Sequence, residues 1–449
     1  MSLRLIVLGG NYKGQVGVED ATTQYERSKP MNPREKELQA SLQVPFPINV
    51  STFGNATIKK VVTKSYSTFI VTTDHKVFCC GDNLFYQLGL VGAKRTPQTK
   101  YNRVTSLDHV NVTDVACGFH FTLFLSLNGD VYGCGDNSFG QLGMENEKAG
   151  AVAIPTLIKD LENVVITKIS AGEQFSAFLT SDSTILTCGA NDKRQLGHSR
   201  IDNVFTPTLI DSKFNKNVVD VMCGNTHLSF LTREGDVFFF GENQCGQFGV
   251  ADHADDEPQP IKLKLQDKLV HRLLSNFQHT HVITSDHSVY ACGRAIEGQL
   301  STPTIHNHAE MIDKAVLPNG WQSALQFDDI YQGPYNTAVV GKDNELYMCG
   351  MNYYHQMPII KQQQKSTEPE FVLVPKGRAF LDSTMMKGCT LRVAMGESHT
   401  ILYYTSDKLN VVLTHFFNHM QKISQFADVV IKCHEENEGE PATKRRRMN

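Results

Sequence analysis

The stretch GCGDNSFGQLG at residues 133–143 decides the fold, because it recurs along the chain. Seven windows of eleven residues share a glycine at the third position and a glutamine at the ninth. These windows begin at Val7, Cys79, Gly133, Thr187, Phe239, Ala291 and Met348. Their glutamines are separated by 72, 54, 54, 52, 52 and 57 residues. A fixed period of this kind is the signature of an architecture in which each repeat packs against its neighbours.

A second element lies upstream of the signature at a fixed offset. Six residues precede a signature glycine by 17 positions: Lys64, Gly118, Gly172, Gly224, Asn276 and Gly333. Between the two elements, residues 121–125 (FTLFL) and 131–135 (VYGCG) predict strands. Asn128-Gly129 predicts a hairpin with a two-residue type I′ turn, because both residues accept positive φ. The period suits a four-stranded blade.

The two ends of the chain complement each other. Gly396 and His399 belong to a first half-repeat that no signature follows, whereas residues 7–17 form a signature that no first half precedes. Joining the ends gives a seventh unit. The sequence therefore predicts an all-β, seven-bladed β-propeller closed by pairing of the N- and C-terminal half-repeats. We expect the propeller at residues 1–405 and a short mixed or disordered tail at 406–449.

The recurring residue types have packing roles. We expect the glycines to allow close backbone approach, the glutamines to satisfy buried backbone groups, and the apolar residue after each glutamine to fill the space between blades. The chain has 11 cysteines, and five stand directly before a signature glycine: Cys80, Cys134, Cys188, Cys292 and Cys349. Positions set by the repeat indicate small buried side chains in a reducing compartment, not disulfides or zinc ligands.

Composition narrows the function. The chain has 449 residues, a formal net charge of −4 and a pI near 6.5. Because nucleic-acid binding normally requires a basic face, we expect no direct contact with nucleic acid. No run of 18 apolar residues occurs, and the N-terminus lacks a signal-peptide pattern. We expect a soluble, monomeric propeller in the cytoplasm, the nucleus or both, with no membrane contact. No catalytic motif is present, and we expect no cofactor and no metal.

One interval is longer than the others. Its excess falls in residues 19–50, a polar stretch that contains Pro30, Pro33, Pro45 and Pro47. The sequence predicts a loop here, which either contacts a partner or is slack.

The pattern G-x-x-H-T, a hairpin and then G-x-N-x-x-G-Q-L-G resembles the repeat of the regulator of chromosome condensation family over residues 3–404. The founding member of that family is a guanine-nucleotide exchange factor for the small GTPase Ran, with acidic and histidine side chains on the turns of one propeller face. Here Phe119 and Gln174 stand where the resemblance implies carboxylates, although Glu173 could shift the acidity by one position. The window at residues 133–143 also lacks the insertion of the exchange factor.

The resemblance implies candidate partner-binding residues on these turns: His120, Glu173, His227, His279 and His399. The alternative for the turn histidines is a structural role, with the imidazole hydrogen-bonded inside the turn. A metal site is not indicated, because the histidines belong to different blades and lack paired ligands at short spacing.

The tail carries two weaker signals. Residues 415–433 look like the opening of a BTB/POZ domain. Such a domain needs about 100 residues, more than the given sequence has after residue 415, so one hypothesis is a truncated or alternatively spliced product of a propeller-BTB adaptor. The basic cluster Lys444, Arg445, Arg446 and Arg447 is a candidate nuclear localisation signal.

Two functions remain open from the sequence. The first is a protein-protein interaction scaffold or regulatory adaptor, and the second is a guanine-nucleotide exchange factor for a Ran-like small GTPase that works without covalent catalysis. A chromatin-bound scaffold would need a basic face. The substituted turn residues and the absent insertion favour the interaction scaffold, so whether the protein is an enzyme stays open, with the balance against it.

Overall fold

The computed structural model describes residues 4–11, 13–18, 41–54, 56–145, 150–210, 217–250, 260–263, 265, 268–301, 308–312, 327–342, 344–353, 357, 367–374 and 390–405. In these residues the regular structure is strand, apart from short 3-10 turns at Val50–Phe53, Thr105–Leu107 and Lys159–Leu161. The tail, with its predicted BTB-like opening and basic cluster, lies outside the described residues.

The strands occur at regular intervals along the chain. The first fourteen are β1 (Arg4–Gly10), β2 (Ser41–Asn49), β3 (Ile58–Lys64), β4 (Ser67–Thr72), β5 (Val77–Gly81), β6 (Gln98–Arg103), β7 (Val112–Cys117), β8 (Phe121–Ser126), β9 (Val131–Asp136), β10 (Ala151–Leu157), β11 (Ile166–Ala171), β12 (Phe175–Thr180), β13 (Ile185–Gly189) and β14 (Val204–Leu209). The others are β15 (Val218–Cys223), β16 (His227–Thr232), β17 (Val237–Gly241), β18 (Ile261–Lys262), β19 (Val270–Asn276), β20 (His279–Thr284), β21 (Val289–Gly293), β22 (His308–Ile312), β23 (Phe327–Gln332), β24 (Asn336–Gly341), β25 (Leu346–Met351), β26 (Thr367–Leu373), β27 (Thr390–Met395) and β28 (His399–Thr405).

These strands form seven four-stranded antiparallel sheets, which confirms the predicted seven-bladed propeller. Blades 1 to 6 are β3–β6, β7–β10, β11–β14, β15–β18, β19–β22 and β23–β26, and blade 7 has the order β27-β28-β1-β2. The first strands of successive blades contact one another in a closed cycle, so they line a central channel. In blade 7, Ile6 pairs with Leu402 and Gly9 with His399, so the N-terminal and C-terminal half-repeats close the ring as predicted.

The interval at residues 19–50 is not wholly a loop. Its last part is β2, the outer strand of blade 7, which pairs with β1. The prediction failed there because Pro45 and Pro47 disfavour a central strand. An outer strand tolerates proline, since its free edge needs no ladder hydrogen bond.

The hairpin of blade 2 forms where it was predicted, but its turn type differs. The Gly129 N–H donates to the Ser126 carbonyl at 3.2 Å, and Gly129 has φ +91°. Asn128 is not among the residues with positive φ, so the turn is type I with a left-handed glycine after it, and the predicted type I′ turn is wrong. Glycine is also required sterically, because a Cβ at Gly129 would lie 2.8 Å from Cγ1 of Val165 in blade 3.

The signature glutamine closes the loop that follows the third strand. In blade 1, the Gln87 Oε1 atom accepts the Phe85 N–H at 2.9 Å, and its Nε2 atom donates to Asp82 at 3.0 Å. Asn83 holds the same loop, because its Oδ1 atom accepts the Leu88 N–H at 3.1 Å. The same glutamine contact to a backbone N–H occurs at Gln15, Gln141, Gln195, Gln247 and Gln299. The predicted role of the glutamine is therefore confirmed at six of the seven positions; Gln356 lies outside the described residues.

The backbone of the same glutamine links each blade to the next. The Gln87 carbonyl accepts the Thr122 hydroxyl at 2.8 Å and the Cys134 thiol at 3.4 Å, both from blade 2. Leu88, directly after it, is fully buried in one cluster with Phe124 and Cys134. The signature cysteine thus packs at the interface between blades, and the cysteines in the described residues are all free.

The signature glycines lie where no side chain fits. Gly135 has φ +102°, and a Cβ there would lie 2.4 Å from the His120 carbonyl oxygen. Gly150, in the same blade, has no heavy atom within 4 Å of a built Cβ.

We expect Gly135→Ala to lower the free energy of unfolding by at least about 2 kcal/mol, through backbone strain and the clash with the turn. Gly150→Ala, the matched control, should change it by less than about 0.5 kcal/mol. Chemical denaturation followed by far-ultraviolet circular dichroism measures both. Equal midpoints for the two variants would contradict this account of the glycine.

Candidate functional site on the turn face

The turns between the first and second strands gather at one end of the channel, which we call the turn face. Each turn has four positions: the upstream element, two variable residues and the first residue of the second strand. The turns are residues 64–67, 118–121, 172–175, 224–227, 276–279, 333–336 and 396–399.

Backbone hydrogen bonds join the second positions of neighbouring turns. The Phe119 N–H donates to the Glu173 carbonyl at 3.1 Å, the Glu173 N–H to the Asn225 carbonyl at 2.8 Å, and the Asn225 N–H to the Phe277 carbonyl at 2.9 Å. The turns of blades 2 to 5 are therefore held in fixed positions relative to one another. At the equivalent position of blade 6, Pro334 has no N–H to donate.

The fourth position explains the glycine at the first. A Cβ at Gly118 would lie 1.8 Å from Cε1 of Phe121, and a Cβ at Gly224 would lie 2.0 Å from Cε1 of His227. The ring at the fourth position thus occupies the space above the glycine of its own turn. This pairing is structural and belongs to the fold.

Three of the five predicted site residues are buried. His227, His279 and His399 are each 0% exposed. His227 Nε2 is hydrogen-bonded to Ser275 Oγ at 2.7 Å, and His399 Nε2 to Thr68 Oγ1 at 3.0 Å, and both partners belong to the next blade. These hydrogen bonds agree with a structural role for the histidines. They differ from the expectation in one respect, because each ring bonds to the next blade and not within its own turn. Contact with a partner through these rings stays a prediction, one that their burial does not favour.

Burial governs the protonation of these histidines. It lowers the pKa of His399 to about 3, and with the positive charge of Lys64 it lowers the pKa of His227 to about 3. The pKa of His279 is also well below its ordinary value, first because of burial and then because of His281 and His227. These rings are therefore neutral near pH 7.

The other two predicted residues lie at the surface of the turn face. His120 is partly exposed and stacks on Phe85 with ring centroids 4.1 Å apart, and Phe119 packs edge-on against it at 4.4 Å. Glu173 is partly exposed; burial first, and then Glu242 and Asp192, raise its pKa, whereas Lys64 lowers it.

Lys64 is a central residue of this face that we did not predict as a site. Its Nζ atom donates to the Ala171 carbonyl at 2.5 Å, so the side chain reaches from blade 1 past blade 2 to blade 3. Burial lowers its pKa, and Cys223, Cys117, Glu173 and Glu397 act in the opposite direction. A signal was present in the sequence, because Lys64 stands where five other turns have glycine.

The turn face combines acidic and aromatic side chains. Glu173, Glu242 and Glu397 are partly exposed, and no ion pair within 4 Å joins them to a basic side chain in the part of the chain that the structure describes. Phe119 and His120 flank this acidic group on one side. On the other, Phe277 packs edge-on against Tyr335 with centroids 4.8 Å apart.

Within the described residues, no group of three or more His, Cys, Asp or Glu side chains is placed to hold a metal ion. No helix among those residues is long and apolar enough to cross a membrane.

The fold and the signature define the class: a β-propeller whose blades are repeats closed by a glutamine. Two models of the regulator of chromosome condensation (RCC1) repeat match the chain, one at residues 58–87, 112–141 and 166–195, the other at residues 74–125, 128–179 and 182–231. Residues 58–231 of the chain therefore consist of repeats of this family.

Known relatives share only part of their length with the chain. The probable E3 ubiquitin-protein ligase HERC4 of Rattus norvegicus is 32% identical over 205 residues, which are 45% of this chain and 19% of the relative. The secretion-regulating guanine nucleotide exchange factor of Bos taurus is 31% identical over 252 residues, 54% of this chain and 53% of the relative. The chain thus spans between a fifth and about half of the length of these relatives. Yeast RCC1 (Prp20), solved bound to Kap60, shares the fold with a TM-score of 0.71 and 16% identity, covering 91% of this chain and 90% of its own.

The buried histidines make stability depend on pH. Because their pKa is lower in the folded protein than the ordinary 6.5, the unfolded chain binds protons first on acidification, and stability is lost as pH falls from about 6.5 towards 3. At pH 5 we expect His227 and His399 each to lower the free energy of unfolding by about 2 kcal/mol relative to neutral pH. His399→Asn, which introduces the residue that blade 6 has at this position, should reduce this slope.

Urea denaturation at pH 7, 6 and 5 measures the slope, with His109→Asn as the control because His109 is exposed. If the slope of the His399→Asn variant is as steep as that of the control, buried His399 is not a source of the pH dependence.

Proposed function

We propose that the protein is an interaction module that binds protein partners through the turn face. The observation that carries this proposal is the group Glu173, Glu242 and Glu397, acidic side chains that form no ion pair within 4 Å among the described residues and lie between aromatic side chains on a hydrogen-bonded frame. Aromatic side chains and fixed charges are the groups that dominate protein interfaces.

The chemistry of the face favours a basic segment of the partner. Burial, Glu242 and Asp192 raise the pKa of Glu173, and Lys64 acts against them but does not reverse the shift, so the negative form of this carboxyl is compensated only in part in the free protein. A lysine or arginine from a partner would supply the rest of the compensation through a charge-assisted hydrogen bond. Phe119 and His120 offer an apolar contact beside this position.

Guanine-nucleotide exchange on a Ran-like small GTPase is the second candidate. The name of the bovine relative and the family of yeast RCC1 favour it. Against it stand Phe119 and Gln174 in place of carboxylates, and the uninterrupted hairpin and signature of blade 2. Exchange would act by distorting the nucleotide site of the GTPase. By resemblance to the exchange factor, it would use the same turn face.

The role of the tail is also a proposal. Lys444 to Arg447 would act as a nuclear localisation signal, bound along its length by acidic pockets of an import receptor. Residues 415–433 would be the start of a BTB-like segment in an adaptor.

Charge reversal tests the turn face. We expect Glu173→Lys to weaken the capture of partners from cell extract by about tenfold or more, because it places a like charge against the basic segment. Asp182→Lys is the matched control, since it makes the same change of charge in the hairpin at the other end of blade 3. Quantitative mass spectrometry of the captured proteins measures the loss; an equal loss with both variants, or with neither, would rule out Glu173 as a contact.

Release of labelled GDP from Ran and a panel of related GTPases, at equal magnesium, separates the two candidates. An interaction module leaves the rate unchanged. Acceleration that Glu173→Lys abolishes and Asp182→Lys preserves would instead establish exchange through the turn face.

Replacing Lys444, Arg445, Arg446 and Arg447 with alanine tests the localisation signal. We expect a fluorescent fusion to lose nuclear enrichment, because the receptor then has no cations to bind. Imaging of living cells measures the nuclear fraction, and an unchanged fraction would dismiss the signal.

A further inference from the structure

A ring of seven charged residues surrounds the channel near the end opposite the turn face. Each residue holds the same position in the first strand of its blade, and the signs alternate: Lys60, Asp114, Lys168, Asp220, Arg272, Asp329 and Arg392. We call this set the charge ring.

A β-bulge places most of these residues. In blades 1 to 6 the pairing of the first and second strands skips one residue directly before the charged one, as between Val112 and Asp114. A bulge re-aims the side chain that follows it, here into the channel. The Asp114 Oδ1 atom also accepts the Val115 N–H at 2.7 Å, which fixes the carboxylate.

In a ring with an odd number of positions, charges cannot alternate throughout, and one pair of neighbours must have the same sign. Lys60 pairs with Asp114 at 2.5 Å, Lys168 pairs with Asp220, and Asp329 pairs with both Arg272 and Arg392. The like-charged neighbours are Arg392 of blade 7 and Lys60 of blade 1. Four cations share three carboxylates, and Arg272 and Arg392 share Asp329, so the charge ring carries one excess positive charge.

An apolar layer lies deeper in the channel. Two positions after the charge ring, the first strands present Val62, Ala116, Met222, Leu274 and Ala394, with Ser170 and Tyr331 at the remaining places. A cavity of about 360 Å³ reaches from Lys60 and Arg272 to this layer, roughly the space of a dozen water molecules. Lys64 crosses above it at the turn face.

We propose that this cavity binds a small organic carboxylate, with its apolar part against the apolar layer and its carboxylate at Lys60 and Arg272, the charge-ring cations that line the cavity. The arrangement has the features of a ligand site: mainly apolar walls and a few charged groups that fix the orientation. The anion would supply the negative charge that the ring lacks. This site is separate from the turn face and does not depend on the function proposed above.

Binding of hexanoate to the full chain tests the proposal, measured by calorimetry and by the rise in the midpoint of thermal unfolding. We expect hexanoate to bind more tightly than hexanol, which lacks the charge, and than inorganic phosphate, which lacks the apolar part. Lys60→Gln should weaken hexanoate by about tenfold, because it removes a charge-assisted contact. Ala394→Leu, which fills the apolar layer and leaves the charge ring intact, should weaken it as well.

Lys168→Gln is the matched control. It breaks a lysine-aspartate pair of the same kind, but Lys168 does not line the cavity, so hexanoate binding should stay within about twofold of wild type. Absence of hexanoate binding to the wild type, equal binding of hexanol, or binding that Lys60→Gln and Lys168→Gln change equally would each overturn the site. Loss in Lys60→Gln and Ala394→Leu, with Lys168→Gln unchanged, supports it.

Discussion

The pairing of β1 with β28 is the contact on which the rest of the propeller depends. It joins Ile6 to Leu402, residues 396 positions apart, so the whole chain must be in place before it forms. Closure entropy grows only slowly with loop length, and the pairing is repaid by burial of Leu5, Leu8 and Ile401. An open ring would leave β1 and β28 as unpaired edges, which are sites of aggregation. The fixed relative positions of all the turns follow from this closure.

Much of this fold is readable from the sequence, because the repeat shows a local rule seven times. The signature glutamine, the residue after it and the split seventh blade were predicted on that ground. Other features are not local. Strand β2 was not predicted, because Pro45 and Pro47 disfavour a central strand and the sequence does not show that β2 lies at an edge. The turn at Asn128-Gly129 depends on Val165 in the next blade, which no hairpin rule includes.

The candidate site was predictable only in part, for a related reason. A histidine at a turn looks the same in the sequence whether it faces a partner or the next blade, and the position of Ser275 decides this for His227. The side chains left at the surface are those of the two variable positions, among them Phe119, His120 and Glu173. Constant positions therefore build the ring, and variable positions distinguish one propeller from another. The charge ring was not predicted, because its members are about one repeat apart in the sequence. They become neighbours only when the blades form a closed ring.

The pairing that closes the ring lies inside blade 7, and the like-charged junction lies where this blade meets blade 1. Placing Arg392 beside Lys60 is unfavourable, and an apolar residue at either position would remove the repulsion. The cost is tolerated because Leu5, Val61 and Tyr403 share one buried cluster across the two blades, and blade 7 itself is held together by the pairing of β1 with β28. The burial of Tyr403 raises its pKa, so its phenol stays neutral beside Arg392 and does not compensate the excess charge. Structural stability is thus secured by backbone pairing and apolar packing, and the residual positive charge in the channel is available to attract an anion.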